Sequence, residues 1–253
     1  MSYFILPLRK FFGRLIFGLM PDFYFSRTLS ALLLKHIRPI HYADHWSVLP
    51  FNGQALRLQK IVELATELRP TVVIETGTYI GSSTPYLASF ASNRTYTIEI
   101  DSSSAAKANE RFRAHHLNSR IELILDDSAV AMQRLLSGLD SQSEIILAYL
   151  DAHWLDAIPT KTELQALCDW GGRWIAVIDD FQVPHDPGYS YDEYENTVIG
   201  ISEVPKNRNL RVWVPNISSN NETGAKRGTG YVFSPEALKA VGENVFDSLI
   251  EIQ

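Results

Sequence analysis

Acidic residues recur at five points where a short aliphatic run gives way to a polar turn: Glu75, Glu99, Asp126-Asp127, Asp151 and Asp179-Asp180. Carboxylates placed this way attract cations and accept hydrogen bonds from hydroxyls and amines, and in clusters they hold hard metal ions through oxygen. Glu75 and Thr76 are followed at once by the glycine turn Gly77-Thr78-Tyr79-Ile80-Gly81, then by Ser82 and Ser83. Glycine accepts positive φ and lets backbone approach a ligand closely. A dinucleotide fingerprint would need glycines where Tyr79 and Ser82 stand, and a P-loop would need a lysine that the turn lacks. Glu75 would also repel a phosphate.

The same charges suit a nucleoside that carries positive charge. The sulfonium and ammonium groups of S-adenosylmethionine are attracted to Glu75, with Thr76, Gly77, Tyr79, Gly81, Ser82 and Ser83 forming the turn around it. Glu99 stands where nucleotide-binding folds place an acid for the ribose hydroxyls. Ile100 would pack on the adenine ring, and Asp127 with Ser128 would meet its amine. Each acid taken singly has a plainer use as a helix N-cap or a solvated charge. Glu75, Gly77, Gly81 and Glu99 as a set favour the nucleoside.

These residues need a scaffold that brings strand ends together. Strand patterns run over Thr71–Glu75, Tyr96–Ile100, Ile121–Leu125, Glu144–Leu150, Trp174–Ile178, Leu210–Val214 and Gly230–Phe233. Helical spacing fills the gaps over Gln54–Leu68, Ser83–Phe90, Ser128–Leu136 and Pro159–Trp170, with a further helix from Ser102 or Ser103, N-capped by serine, and a last one at Ser234-Pro235-Glu236. Strands alternating with helices imply right-handed crossovers. The expected fold is α/β: a doubly wound, Rossmann-like, mostly parallel sheet of seven strands with helices on both faces and an antiparallel C-terminal strand. Ligands bind such sheets at the carboxyl ends of the strands, where the winding reverses. All five acidic points fall there.

Composition bounds the rest. The 253 residues fit one cofactor-binding domain over 51–253 with an N-terminal helical cap or extension over 1–50. A net charge of −6 argues against a nucleic-acid partner and fits a small neutral or cationic ligand. The single cysteine, Cys168, excludes an internal disulfide and a CxxC metal site, and makes a cytoplasmic setting the default. Arg9, Lys10 and Arg14 interrupt the apolar stretch Phe4–Met20, which is too short to span a bilayer. A helix packed on the domain is favoured there over one lying on a membrane surface, and the apolar segment also suits a homodimer.

The stretches ETGTYIGSST, IEID and LDDS resemble the successive cofactor motifs of class I S-adenosylmethionine-dependent methyltransferases, over about Phe51 to Phe233. FNGQ (Phe51–Gln54), YLDAHW (Tyr149–Trp154), IDDFQVPHDPGYSYDEY (Ile178–Tyr194) and ETGAKRG (Glu222–Gly228) resemble a bacterial group with only a generic methyltransferase label. More distantly, the chain is similar to metal-dependent O-methyltransferases of sugars and catechol-like diols. That resemblance implies magnesium, or a similar divalent cation, on Asp151, Asp179 and Asp180, and His153 as the base. The chemistry is coherent on its own terms, because clustered carboxylates call for a hard cation and an imidazole near neutrality can take a hydroxyl's proton. The function expected is Mg-dependent O-methylation of a hydroxyl on a small molecule or sugar, with Asp151 and His153 at the reacting centre. The rivals are a nicotinamide-dependent oxidoreductase, disfavoured by the broken glycine motif, and a non-catalytic scaffold that keeps the fold. The aromatic segment Phe181–Tyr194 reads either as an acceptor pocket or as loop packing, and Lys226 and Arg227 either meet an acidic acceptor or are solvated.

Overall fold

The structure, a computed structural model, describes residues 49–153, 158–194, 197–206 and 208–253. The readings made for Phe4–Met20 and for Trp154 lie outside the described residues. No helix among the described residues is long and apolar enough to cross a membrane.

The chain enters through a left-handed turn at Phe51, Asn52 and Gly53, then alternates. In order come α1 (Ala55–Leu68), β1 (Val72–Thr76), α2 (Thr84–Ala88), β2 (Arg94–Glu99), α3 (Ser102–Ala114), β3 (Ile121–Leu125), α4 (Ser128–Ser137), β4 (Ile145–Leu150), α5 (Thr160–Trp170) and β5 (Arg173–Asp179). There follow a two-strand ribbon, β6 (Glu193–Tyr194) and β7 (Thr197–Val198), then β8 (Arg211–Pro215), β9 (Thr229–Phe233), α6 (Pro235–Leu238) and β10 (Leu249–Glu251).

The main sheet has eight strands in the order β10-β8-β9-β5-β4-β1-β2-β3. β3, β2, β1, β4 and β5 are parallel, and β9, β8 and β10 pair antiparallel at one side. β1 lies between β2 and β4, so the winding reverses at its carboxyl end, where the glycine turn stands. Seven of the eight strands were expected. The extra one, β10, has only three residues against Trp213–Pro215, too few to show an alternating pattern.

Burial follows from the layering. All five residues of β1 are buried, as an unbroken apolar run sandwiched between two helical layers must be. On one face α4 and α5 pack Ala131, Met132, Leu136, Leu164 and Leu167 onto Ile74, Ile98, Ala148 and Ile178. On the other, α1, α2 and α6 pack Ile61, Leu64, Leu87 and Ala237 onto Val73, Leu147, Tyr149 and Val177. Successive strand residues serve opposite faces, the period-two rule of a sheet. Ser234 caps α6 by accepting from the Ala237 N–H at 3.1 Å, ahead of Pro235. The cap of α3 differs from expectation: Asp101, rather than a serine, accepts from the Ser104 N–H at 2.7 Å.

Candidate functional site

The turn after β1 is built against the neighbouring strand. Gly77 has φ +78°, and a Cβ there would lie 2.0 Å from the Asp151 carbonyl oxygen. Its N–H and that of Thr78 donate to the Ile98 carbonyl at 3.0 and 3.2 Å, which pins the turn to β2. Gly81 shares the positive φ, at +70°, and meets a second demand: a Cβ there would strike the Phe112 ring of α3 at 2.7 Å. Its smallness therefore serves helix packing. Tyr79 takes φ +48° although it is not glycine.

Glu99 accepts from the Tyr79 N–H at 2.6 Å and the Asp101 N–H at 2.8 Å, one to each carboxylate oxygen. It therefore bridges the glycine turn to the end of β2. Glu75 is buried and accepts from the Thr84 and Thr97 hydroxyls, both at 2.6 Å. Burial, with the nearby charge of Glu99, outweighs these bonds and pushes its pKa up to about 7. Thr76 is fully buried, and its hydroxyl oxygen accepts from the Asp151 N–H at 3.3 Å. Ser83 accepts from the Phe51 N–H at 3.1 Å, and Ser82 accepts from Arg111 of α3 at 2.8 Å.

Apolar side chains lie open around this turn. Ile100 is 69% exposed, Leu125 55%, Val130 57% and Tyr79 44%, all at the carboxyl ends of β1, β2 and β3 or in the first turn of α4. Asp127, expected at the adenine amine, caps α4 through the Ala129 N–H at 2.8 Å, and Ser128 is buried beside it.

The second half of the site stands at the ends of β4 and β5. His153 Nε2 lies 3.0 Å from Asp180 Oδ2 and 3.7 Å from Asp151 Oδ1. One donor atom from each of Asp151, His153 and Asp180 falls within 4.8 Å of the others, a spacing that admits a single cation. Burial, then Asp179 and Asp180, holds the Asp151 carboxyl well above the usual range. Burial pulls the His153 pKa down, but Asp180 outweighs it and raises it overall. For Asp180 burial raises the pKa, and bonds from His153 and Arg227 overcome it and hold the carboxyl below the usual range.

Asp179, expected in the metal set, is engaged elsewhere. One oxygen pairs with Arg57 and accepts from the Asp180 N–H at 2.7 Å; the other accepts from Tyr149 at 2.7 Å and Asn52 at 3.0 Å. Four donors around one carboxylate leave it little capacity for a cation. The set that closes on one point is therefore Asp151, His153 and Asp180, with Asp179 as its support.

Sequence reasoning missed three participants. Arg57 of α1 is 2% exposed and reaches Asp179 and the Arg227 and Gly228 carbonyls. Glu222 accepts from the Leu56 and Arg57 N–H groups, both at 3.1 Å, and so caps α1 from a distant loop. Glu163 of α5 is fully buried and faces the Ser128 and Thr76 hydroxyls. The signal for the first two lay in FNGQ and ETGAKRG, which meet here through paired Gln54–Arg227 bonds of 2.9 and 2.7 Å. In the aromatic segment, Tyr189 packs inward and donates to the Ile217 carbonyl at 3.0 Å, and Tyr194 donates to Asp192 at 2.9 Å. Only Tyr191, at 36%, is exposed among its tyrosines.

A family model described as Rhamnosyl O-methyltransferase/CmcI matches residues 40–207. No curated protein matches the sequence. Among solved structures, the chain is similar to cofactor-bound Rv0187 from MTB, with 18% identity, a TM-score of 0.53, and 90% of this chain and 96% of that chain covered. It is also similar to an O-methyltransferase from Bacillus cereus in complex with SAH, with 14% identity, a TM-score of 0.50, and 87% and 96% covered. At such identities the likeness is one of fold.

Proposed function

Because the chain belongs to the Rhamnosyl O-methyltransferase/CmcI family, and so is a methyltransferase, we propose that it moves a methyl group from S-adenosylmethionine to a hydroxyl of a small molecule or sugar. One observation carries this reading. Exposed Ile100, Leu125, Val130 and Tyr79 stand with Glu99 at the same carboxyl edge of the sheet as a cluster of two carboxylates and an imidazole. S-adenosylmethionine would supply the methyl group on a positively charged sulfur. Glu99 would hold the ribose through the acceptor capacity left beyond its two backbone bonds, Ile100 and Leu125 would sandwich the adenine, and Glu75 would draw the positive end toward the Gly77 turn. Glu75 fits a cationic ligand because its burial disfavours lone ionisation, which a bound positive charge reverses.

The cluster also fits a divalent cation, with Asp151, His153 and Asp180 as its holders. Oxygen-rich, carboxylate-based ligation suits magnesium or manganese. A cation there would lower the pKa of an acceptor hydroxyl. His153 has two candidate duties, ligand and proton acceptor, and one nitrogen cannot perform both at once. A ring that donates its Nε2–H to Asp180 would take a proton on Nδ1, whereas one that binds a cation through Nε2 would give up the Asp180 bond.

Calorimetric titration with S-adenosylhomocysteine tests the cofactor reading: saturable binding is expected, weakened at least tenfold in Glu99→Ala, and no measurable heat would sink it. Manganese titration of His153→Ala separates the duties of the imidazole. Lost metal binding assigns it as a ligand, whereas retained binding with lost methyl transfer assigns it as the base.

A further inference from the structure

Arg227 lies against the carboxylates that the cation reading needs. Its Nε pairs with Asp180 Oδ1 and its NH2 group with Asp192 Oδ1, so one guanidinium spans the end of β5 and the segment leading to β6. The backbone that carries this side chain is held from several directions. The Arg227 N–H donates to Gln54 Oε1, its carbonyl accepts from Gln54 and Arg57, and the Gly228 N–H bonds the Ser190 carbonyl at 2.7 Å. With Arg227 in place both Asp180 oxygens are occupied, Oδ1 by the guanidinium and Oδ2 by His153.

We propose that Arg227 is an exchangeable counter-ion of this rim: it neutralises Asp180 when no metal is present and yields that carboxylate to a divalent cation. The inference rests on the metal reading above and deepens it by naming the group that opposes the metal. Two physical points support it. A guanidinium bonded to one ligand oxygen takes a lone pair that the ion would use, and its charge repels a divalent cation a few ångströms away in a partly buried setting. Asp192 provides a place for it to go, because Arg227 can leave Asp180 and keep its second partner. That partner is itself oriented by the Tyr194 hydroxyl at 2.9 Å. Metal uptake would then be linked to the Asp192–Tyr194 strand edge, which the guanidinium joins to the rim.

The test is calorimetric titration of the full chain with manganese alone, without cofactor or acceptor. Arg227→Met, which keeps most of the apolar stem and removes the charge, is expected to bind manganese at least tenfold more tightly than the parent. Arg227→Gln, which retains hydrogen bonding to Asp180 without charge, should shift in the same direction and serves if the Met variant fails to fold. Parent and variants that bind manganese equally would overturn the counter-ion role and leave the metal reading standing. Absence of manganese binding in all three would overturn both.

Discussion

At the scale of single residues, the two glycines of the turn make different demands, and the difference can be measured. Alanine at position 77 would drive its Cβ into the Asp151 backbone at 2.0 Å, and φ is +78° besides. Backbone cannot move aside as a flexible side chain can, so the end of β4 must shift and carry Asp151 with it. Gly77→Ala is expected to destabilise the protein by roughly 1–3 kcal/mol and to weaken S-adenosylhomocysteine binding at least tenfold. At position 81 φ is also positive, at +70°, but the steric obstacle is the ring of Phe112, with the nearest atom at 2.7 Å. Trimming that ring should relieve the clash, so Phe112→Leu is expected to recover part of the stability lost in Gly81→Ala but none of that lost in Gly77→Ala. Thermal melts of the three single and two double variants decide it. Equal rescue of both glycine variants would show that the obstacle at Gly77 is not the β4 backbone.

At the scale of elements, α1 ties the acidic rim to the sheet. Its buried face is Arg57, Lys60, Ile61, Leu64, Ala65 and Leu68, so two charged residues open the stripe that the aliphatic ones continue. This explains what was legible in the sequence. The helix is plain from its period, but apolar spacing alone overlooks Arg57, which is buried while its neighbours Leu56 and Leu58 are only half-buried. A buried arginine looks like a surface one until its partner is known, and Asp179 is 122 residues away in sequence. The order of strands, the glycine turn and the acids at the strand ends followed from local pattern. Which acids face a common point did not, because that depends on the donors arriving from α1 and from residues 222–228. Removing Arg57 leaves Asp179 buried, bonded only to neutral groups. Arg57→Met is expected to cost about 3–5 kcal/mol, and adding Asp179→Asn, which keeps an acceptor for Tyr149 and Asn52, should recover most of that. A double-mutant cycle from urea denaturation measures the coupling. Additive losses would mean that the pair is not an energetic unit.

At the scale of the whole molecule, carboxyls buried on either side of the sheet set how stability responds to pH. Glu75 and Glu163 are both pushed up by burial to about 7 from an ordinary 4.5; for Glu163 the Ser128 and Thr76 hydroxyls and His153 pull the other way without prevailing. A carboxyl whose pKa is higher in the folded state binds more protons there than in the unfolded chain. The stability this gives is fully present below about 4.5, is lost as pH rises toward 7, and stays lost above it. At 1.36 kcal/mol per pKa unit each group contributes a change on the order of 3 kcal/mol. Asp180 acts with the opposite sign, because its depressed pKa gives stability that disappears only as pH falls below the usual carboxylate range. The ligand-free protein should therefore be most stable at mildly acidic pH, and its thermal midpoint should fall between pH 5 and pH 8. Glu163→Gln removes one of the titrating groups and should flatten that fall while raising the midpoint at pH 8. S-adenosylmethionine, whose positive charge favours an ionised Glu75, should stabilise the protein more at pH 8 than at pH 5.5. A thermal midpoint that is flat from pH 5 to pH 8, or a Glu163→Gln profile parallel to the parent's, would show that these buried acids do not govern the response.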